Sequence, residues 1–278
     1  MSDLIHCITN PISMMQCANA VLALGAKPMM AEHPQEVAEI TATASALLLN
    51  LGNISDVRVE SMRISFGVAI EKGIPVVIDA VGVSCSKLRR DFVEELLRDY
   101  ATGLESEREQ KTNQRCLLLK GNYSEILALR DLGYTSKGVD AEQGLAIENV
   151  IDAAKSLAYQ YACLVLASGE ADVITDGKEI ALVQNGHPTM SSITGTGCMQ
   201  GAICATYLAR EASMDSAVDA CACLGIAGEV AVDRLSSNAD VGELGRYGCG
   251  SYLIALLDAL SLMDDKTVQT RKRIQTLK

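Results

Sequence analysis

The run Ser191-Ser192-Ile193-Thr194-Gly195-Thr196-Gly197-Cys198 holds the residue types to receive an anion and act on it. Gly195 and Gly197 permit a tight turn, and the Met, Ala, Ile, Cys and Leu residues that follow from Cys198 read as a buried helix. Such a turn leaves the unpaired N–H groups of the helix start exposed at the positive end of its dipole, where a phosphate or a developing oxyanion fits. Cys198 stands at that end. A tight helix start with Cys198 as small core filling would use the same residues, so this stretch alone leaves both readings open. A dinucleotide fingerprint fits less well, because it follows a strand and needs an acidic residue about twenty positions on.

Further candidates lie where apolar runs end. Asp79 closes Pro75-Val76-Val77-Ile78-Asp79, Lys120, Asn122 and Glu125 cluster after Cys116-Leu117-Leu118-Leu119, and Ser168 follows Cys163-Leu164-Val165-Leu166-Ala167. Open α/β sheets collect ligands outside the carboxyl ends of their strands. No Gly-x-x-x-x-Gly-Lys-Ser/Thr occurs, so ATP chemistry here would not use a P-loop. Phosphoryl transfer is mostly positioning and charge stabilisation, and an acidic exit, a Lys/Asn/Glu exit and a Gly-Thr-Gly helix start supply both. Mg²⁺ prefers a few carboxylates and keeps its waters, which assigns it to Asp79 and Glu125, partly through water. Asp79 as a plain turn former or helix cap stays open. His187, beside Pro188, reads as a loop residue bonded to backbone, and Met14, Met15, Met29 and Met30 read as core. With two Phe and no Trp, an apolar ligand would be held by aliphatic and sulfur side chains.

The elements that must position these residues alternate. Strands are expected at residues 5–9, 28–31, 46–51, 75–79, 116–120 and 163–168, with helices at about 14–24, 34–43, 56–72, 86–100, 142–161, 198–211, 213–235 and 250–262. Continuous apolar strands between helices argue a parallel sheet buried on both faces. Asp172 to Val183 reads as a hairpin on an Asp-Gly turn, an antiparallel addition to that sheet. The polar stretch Gly103 to Gln114 reads as an exposed loop, and Arg271-Lys272-Arg273 as a solvated tail.

Composition narrows the function. A net charge of −11 and no basic cluster before that tail disfavour nucleic acid. No apolar run reaches membrane-spanning length, and the start shows no basic region followed by an apolar block. Ten cysteines scattered through apolar segments point to a reducing cytosol, with Cys221-Ala222-Cys223 as core and not a zinc site.

Read in order, His6-Cys7-Ile8-Thr9-Asn10, Ala18-Asn19, Leu24-Gly25-Ala26, Pro28-Met29-Met30, Leu49-Asn50-Leu51-Gly52, Asp79-Ala80-Val81-Gly82, Lys120-Gly121-Asn122, Glu125-Ile126, Lys137-Gly138-Val139-Asp140, Ser168-Gly169-Glu170-Ala171-Asp172, Asn185-Gly186-His187 and Thr194-Gly195-Thr196-Gly197-Cys198 form a familiar series. The chain resembles the hydroxyethylthiazole kinase family of the ribokinase-like superfamily over nearly its whole length. Cys198 is the specific mark, since related sugar and vitamin kinases carry Asp there. The resemblance implies one ribokinase-like α/β domain over residues 1–278. This would be a three-layer sandwich with a mainly parallel central sheet, helices on both faces and an antiparallel edge hairpin. It implies a homotrimer with sites between subunits, and transfer of the ATP γ-phosphate to the primary alcohol of 4-methyl-5-(2-hydroxyethyl)thiazole in thiamine biosynthesis and salvage.

By position, the resemblance gives Met30 and Gly195 to the thiazole and Lys120 and Ser168 to ATP. Thr194, Gly195, Thr196, Gly197 and Cys198 would supply an anion hole, Cys198 would stand beside the reacting hydroxyl as positioner and partial base, and Asp79 and Glu125 would arrange Mg²⁺. Ala80 replaces a usual Pro, Lys120 a common Arg, Ser168 a common Thr, and Gly248-Cys249-Gly250-Ser251-Tyr252 a usual Gly-Pro-Gly-Ser-Phe. The chain also starts about a helix later than the pattern and carries 103–114 as an insertion. Lys for Arg keeps the charge but loses the planar fork. The competing readings are a kinase of a hydroxymethylpyrimidine or pyridoxal, a nucleotide-dependent dehydratase, and a silent binding protein of the same fold.

Overall fold

The apolar runs become strands: β1 (Leu4–Ile8), β2 (Lys27–Met29), β3 (Ala46–Asn50), β4 (Val76–Asp79), β5 (Leu117–Asn122), β6 (Leu164–Ser168), β7 (Asp172–Thr175), β8 (Ile180–Val183) and β9 (Ile274–Leu277). The computed structural model describes residues 2–108, 116–131, 146–237 and 247–277. Within it the nine strands form one sheet in the order β2-β1-β3-β4-β5-β6-β7-β8-β9. The pairs from β2 to β6 are parallel, and β6–β7, β7–β8 and β8–β9 are antiparallel.

Successive residues on a strand face opposite ways, and both faces are covered. Leu48, Val77 and Leu118 join one core with Cys17, Ala202, Ala222 and Leu256 from α1 (Met14–Ala23), α7 (Thr196–Arg210), α8 (Met214–Ser237) and α9 (Cys249–Ser261). Leu47, Leu49, Ile78 and Leu119 join a second core with Val37, Met62, Leu97, Ile126 and Leu157. Those residues come from α2 (Val37–Thr41), α3 (Asp56–Lys72), α4 (Lys87–Arg108), α5 (Tyr123–Arg130) and α6 (Ile147–Tyr161). This is the expected three-layer arrangement, and the hairpin of β7 and β8 lies where the Asp-Gly turn placed it. Among the described residues no helix is long and apolar enough to cross a membrane.

Three expectations are corrected. Met15 on α1 and Met29 on β2, read as core, are exposed. The helix expected to end at Tyr100 runs on to Arg108, so residues 103–108 of the expected loop are helical. Low hydropathy there marked exposure, while Leu, Glu and Arg are good helix formers. Residues 109–114 of that loop, the motif Lys137 to Asp140 and residues 242–246 lie outside the described residues. The basic run at 271–273 is not a loose tail. After α10 (Asp265–Arg271), Lys272 bonds Asp219 at 2.7 Å, Arg273 bonds Glu229 at 2.7 Å, and β9 pairs with β8 in the register Ile180↔Leu277 to Val183↔Ile274. A four-residue strand with only Ile274 and Leu277 apolar is too short to show a period of two.

Candidate active site

Parallel register sets the site. Asn50 pairs with Asp79, Asp79 with Lys120, and Asn122 with Ser168, so the polar ends of β3, β4, β5 and β6 stand at one level across the sheet. The α7 helix approaches this row with its start. Its N-cap is Gly195 at φ +96, a conformation L side chains rarely adopt, and no side chain caps the first turn. Thr196 is tied back by its hydroxyl to the carbonyl of Met190 at 3.1 Å, in the 3₁₀ turn Pro188–Ser192. Gly201, one turn on, lets the helix backbone lie against Asp79: a Cβ there would sit 3.3 Å from Oδ2.

Between strands and helix runs a continuous hydrogen-bonded chain. Lys120 Nζ donates to Asp79 Oδ1 at 3.0 Å. Asn50 Nδ2 donates to Asp79 Oδ2 at 2.8 Å, and Asn10 Nδ2 donates to Asn50 Oδ1 at 3.0 Å and to Cys198 Sγ at 3.4 Å. All but Cys198 are buried. Burial pushes the Asp79 carboxyl upward, against the pull of Lys120 and Asn50. Burial also works against the Lys120 ammonium, yet Asp79, Cys198 and Glu125 around it raise its pKa on balance, so it is held charged.

Glu125 lies one strand over, its Oε1 taking the amide of Gly82 and its Oε2 that of Asn122, each at 2.7 Å. It closes a capping box on α5 with Asn122. Burial raises it to about 7 despite those two amides, and the nearby Asp79 adds to the shift. Ser168 is half-buried at the exit of β6, with its hydroxyl 3.4 Å from the Gly121 carbonyl. The turn that follows it is braced: Tyr123 donates its hydroxyl to the Ala171 carbonyl, and Asp172 takes the Gly169 amide and the Gln200 side chain. Burial lifts Asp172 to about 6 against those donors.

The structure therefore gathers Asp79, Lys120 and Cys198 and brings Glu125 and Ser168 to neighbouring strand exits. Met30 follows β2 and packs on the same face of the sheet as Cys198. His187 uses Nδ1 within its own turn, with Thr189, as a loop residue does. Sequence reasoning missed Asn10, Asn50, Asp172 and Gln200 as site residues. Asn10 and Asn50 end apolar runs just as Asp79 does, so the strand-exit rule that singled out Asp79 reaches them too.

The family model described as "Hydroxyethylthiazole kinase family" matches residues 1–266. The chain belongs to the hydroxyethylthiazole kinase family. Hydroxyethylthiazole kinase 2 of Clostridium botulinum is 38% identical over 278 residues, covering 98% of this chain and 95% of that protein. The solved hydroxyethylthiazole kinase of Pyrococcus horikoshii OT3 is similar with a TM-score of 0.81 at 29% identity, covering 99% and 94% of the two chains. A ribokinase-like protein of Enterococcus faecalis V583, at TM-score 0.60 and 12% identity over 92% of this chain and 86% of that one, shares the fold alone. As a member of the hydroxyethylthiazole kinase family the chain is an ATP-dependent kinase that phosphorylates the thiazole alcohol in thiamine biosynthesis.

Proposed function

We propose that the start of α7 receives the γ-phosphoryl group and that Cys198 holds the alcohol it is moving to. The observation that carries this is the uncapped helix N-terminus, with Cys198 in its first turn bonded through Asn10 and Asn50 to the buried Asp79–Lys120 pair. The amides of Thr194 to Cys198 take the equatorial oxygens, a fixed set of dipoles that need not reorganise as charge moves. Gly195 and Met30 border the thiazole; Lys120 and Ser168 face the phosphates of ATP from beneath. The hydroxyl oxygen forms its bond to phosphorus as the bond to ADP breaks, and the hydroxyl proton leaves by way of Cys198 Sγ, which is partly exposed, to water.

Asp79 and Glu125 would hold Mg²⁺ through its waters. Each oxygen of either carboxylate accepts one hydrogen bond and keeps a second lone pair. Mg²⁺ keeps several of its waters where few carboxylates are offered, and two carboxylates suit that form. Held there, Mg²⁺ would add to Lys120 and the helix-start amides in neutralising charge on the nucleotide.

The working unit in this reading is one kinase domain in a cytoplasmic homotrimer. Ile12, Met15, Leu22 and Met29, exposed by 63%, 69%, 55% and 39%, support a subunit contact along α1 and β2, and ten unpaired thiols support a reducing compartment. The test is coupled ADP release with the thiazole alcohol, set against hydroxymethylpyrimidine and pyridoxal, in wild type and Cys198→Ala. The reading expects turnover on the thiazole alone, reduced in the variant while ATP binding by calorimetry persists. Full turnover in Cys198→Ala refutes the assignment.

A further inference from the structure

Asn10 is buried, 4% exposed, at the exit of β1, where no part of the reaction described so far uses it. Its two ends are not interchangeable. Oδ1 accepts the Ser13 amide at 3.1 Å, and Nδ2 gives its two hydrogens to Asn50 Oδ1 and Cys198 Sγ. Turning the amide over would set an N–H₂ against the Ser13 N–H and an oxygen against Asn50 Oδ1. Turning Asn50 as well does not repair this, because its oxygen would then face the Asp79 carboxylate and abandon the Gly52 amide it accepts at 2.9 Å. Asp79 in turn is fixed by Lys120. Hydrogen-bond direction is thus dictated from the ion pair outward, and at its far end the sulfur faces a donor.

We propose that Asn10 is a positioning residue for phosphoryl transfer, holding Cys198 Sγ as a hydrogen-bond acceptor so that the sulfur's remaining lone pair takes the O–H of the substrate alcohol. A sulfur bonded to an amide N–H cannot point its own hydrogen at Asn10. An alcohol that donates to that sulfur turns an oxygen lone pair toward the phosphorus, which is the orientation attack needs. Without that contact the sulfur is free to turn its own hydrogen inward and leave the alcohol misaligned, so the contact acts on kcat through orientation. This inference rests on the placing of Cys198 beside the alcohol.

The experiment is a double-mutant cycle between Asn10→Ala and Cys198→Ala, read as kcat and as KM for ATP and for the thiazole alcohol, with melting curves for each variant. Asn10→Ala is expected to lower kcat about tenfold, the scale of one lost hydrogen bond that sets orientation, with KM for ATP unchanged. In the Cys198→Ala background the same change should lower kcat no further. Asn10→Asp supplies a second, isosteric readout. Its carboxylate presents an acceptor to the sulfur, so activity relative to wild type should be lowest at high pH and recover as pH falls and the carboxyl regains a hydrogen to donate. Asn10→Ser keeps an acceptor for Ser13 and replaces Asn10→Ala in the cycle if that variant does not fold. Losses that multiply in the double variant, or an Asn10→Asp profile parallel to wild type, overturn the inference. Wild-type kcat in Cys198→Ala instead overturns the placing of Cys198 itself.

Discussion

Replacing Lys120 by Met removes one charge from a pair that the fold has taken wholly out of water. Nζ and Oδ1 are 3.0 Å apart, and the side chains of Lys120 and Asp79 are 4% and 1% exposed. At an effective dielectric near 20 their attraction is about 5 kcal/mol, most of which offsets desolvation and does not appear as net stability. Lys120→Met leaves the other half of that balance: a buried carboxylate with Asn50 as its remaining donor. Breaking a buried pair in this way costs about 3–5 kcal/mol, or a urea midpoint lower by about 1–2 M. Burial already raises the Asp79 carboxyl, and loss of the ammonium raises it further. A group whose folded pKa lies above its unfolded value stabilises below that value and loses this as pH rises through it, so the deficit of Lys120→Met should shrink between pH 7.5 and pH 5. Lys120→Met/Asp79→Asn, neutral and nearly isosteric at position 79, should recover most of the lost midpoint while turnover stays low, because the ammonium under the anion hole is still missing. Urea titrations of the three proteins at both pH values decide the matter. A midpoint in Lys120→Met equal to wild type at pH 7.5, or a double variant no more stable than the single one, would refute the reasoning.

Gly195→Ala should cost about 1–2 kcal/mol from the left-handed backbone and from a Cβ placed 3.0 Å from that of Ser13; a thermal melt checks this, and turnover should fall with it as the turn shifts. Asp172, raised to about 6 by burial, binds a proton in the folded state that the unfolded chain has released between roughly pH 4 and 6. Its contribution to stability therefore falls by about 3 kcal/mol as pH rises through that window, and the difference between wild type and Asp172→Asn in denaturation midpoints at pH 4.5 and 7.5 should show it. Arg273→Ala should cost under about 1 kcal/mol, because Arg273 is half exposed in its pair with Glu229. Deleting residues 274–277 should cost several times more by opening the edge of β8; equal losses in the two variants would mean that β9 pairing contributes nothing.

Strand order along the sheet was not legible in the residues, but strand ends were. Asp79, Lys120 and Ser168 each terminate an apolar run, and the parallel register then makes neighbours of residues 41 positions apart in sequence, as at Asp79 and Lys120. Distance along the chain hid the link from Cys198 to Asn10, 188 positions away; no local pattern encodes such a contact. The glycine turn was readable because it is local: backbone freedom and helix start lie within a few residues. The end of α4 was missed because Gly103 to Gln114 is strongly polar in sequence and reads as loop, and β9 because four residues with two apolar ones show no period.

That ninth strand has a consequence beyond its bonds. β8 is Ile180-Ala181-Leu182-Val183, apolar at every position and buried at every position. Left as the rim of the folded sheet, it would be a ready template for another chain, the kind of segment that seeds aggregates. Ile274-Gln275-Thr276-Leu277 covers it with a short strand whose middle is polar and exposed, so the sheet's rim is supplied by four residues remote from the catalytic row.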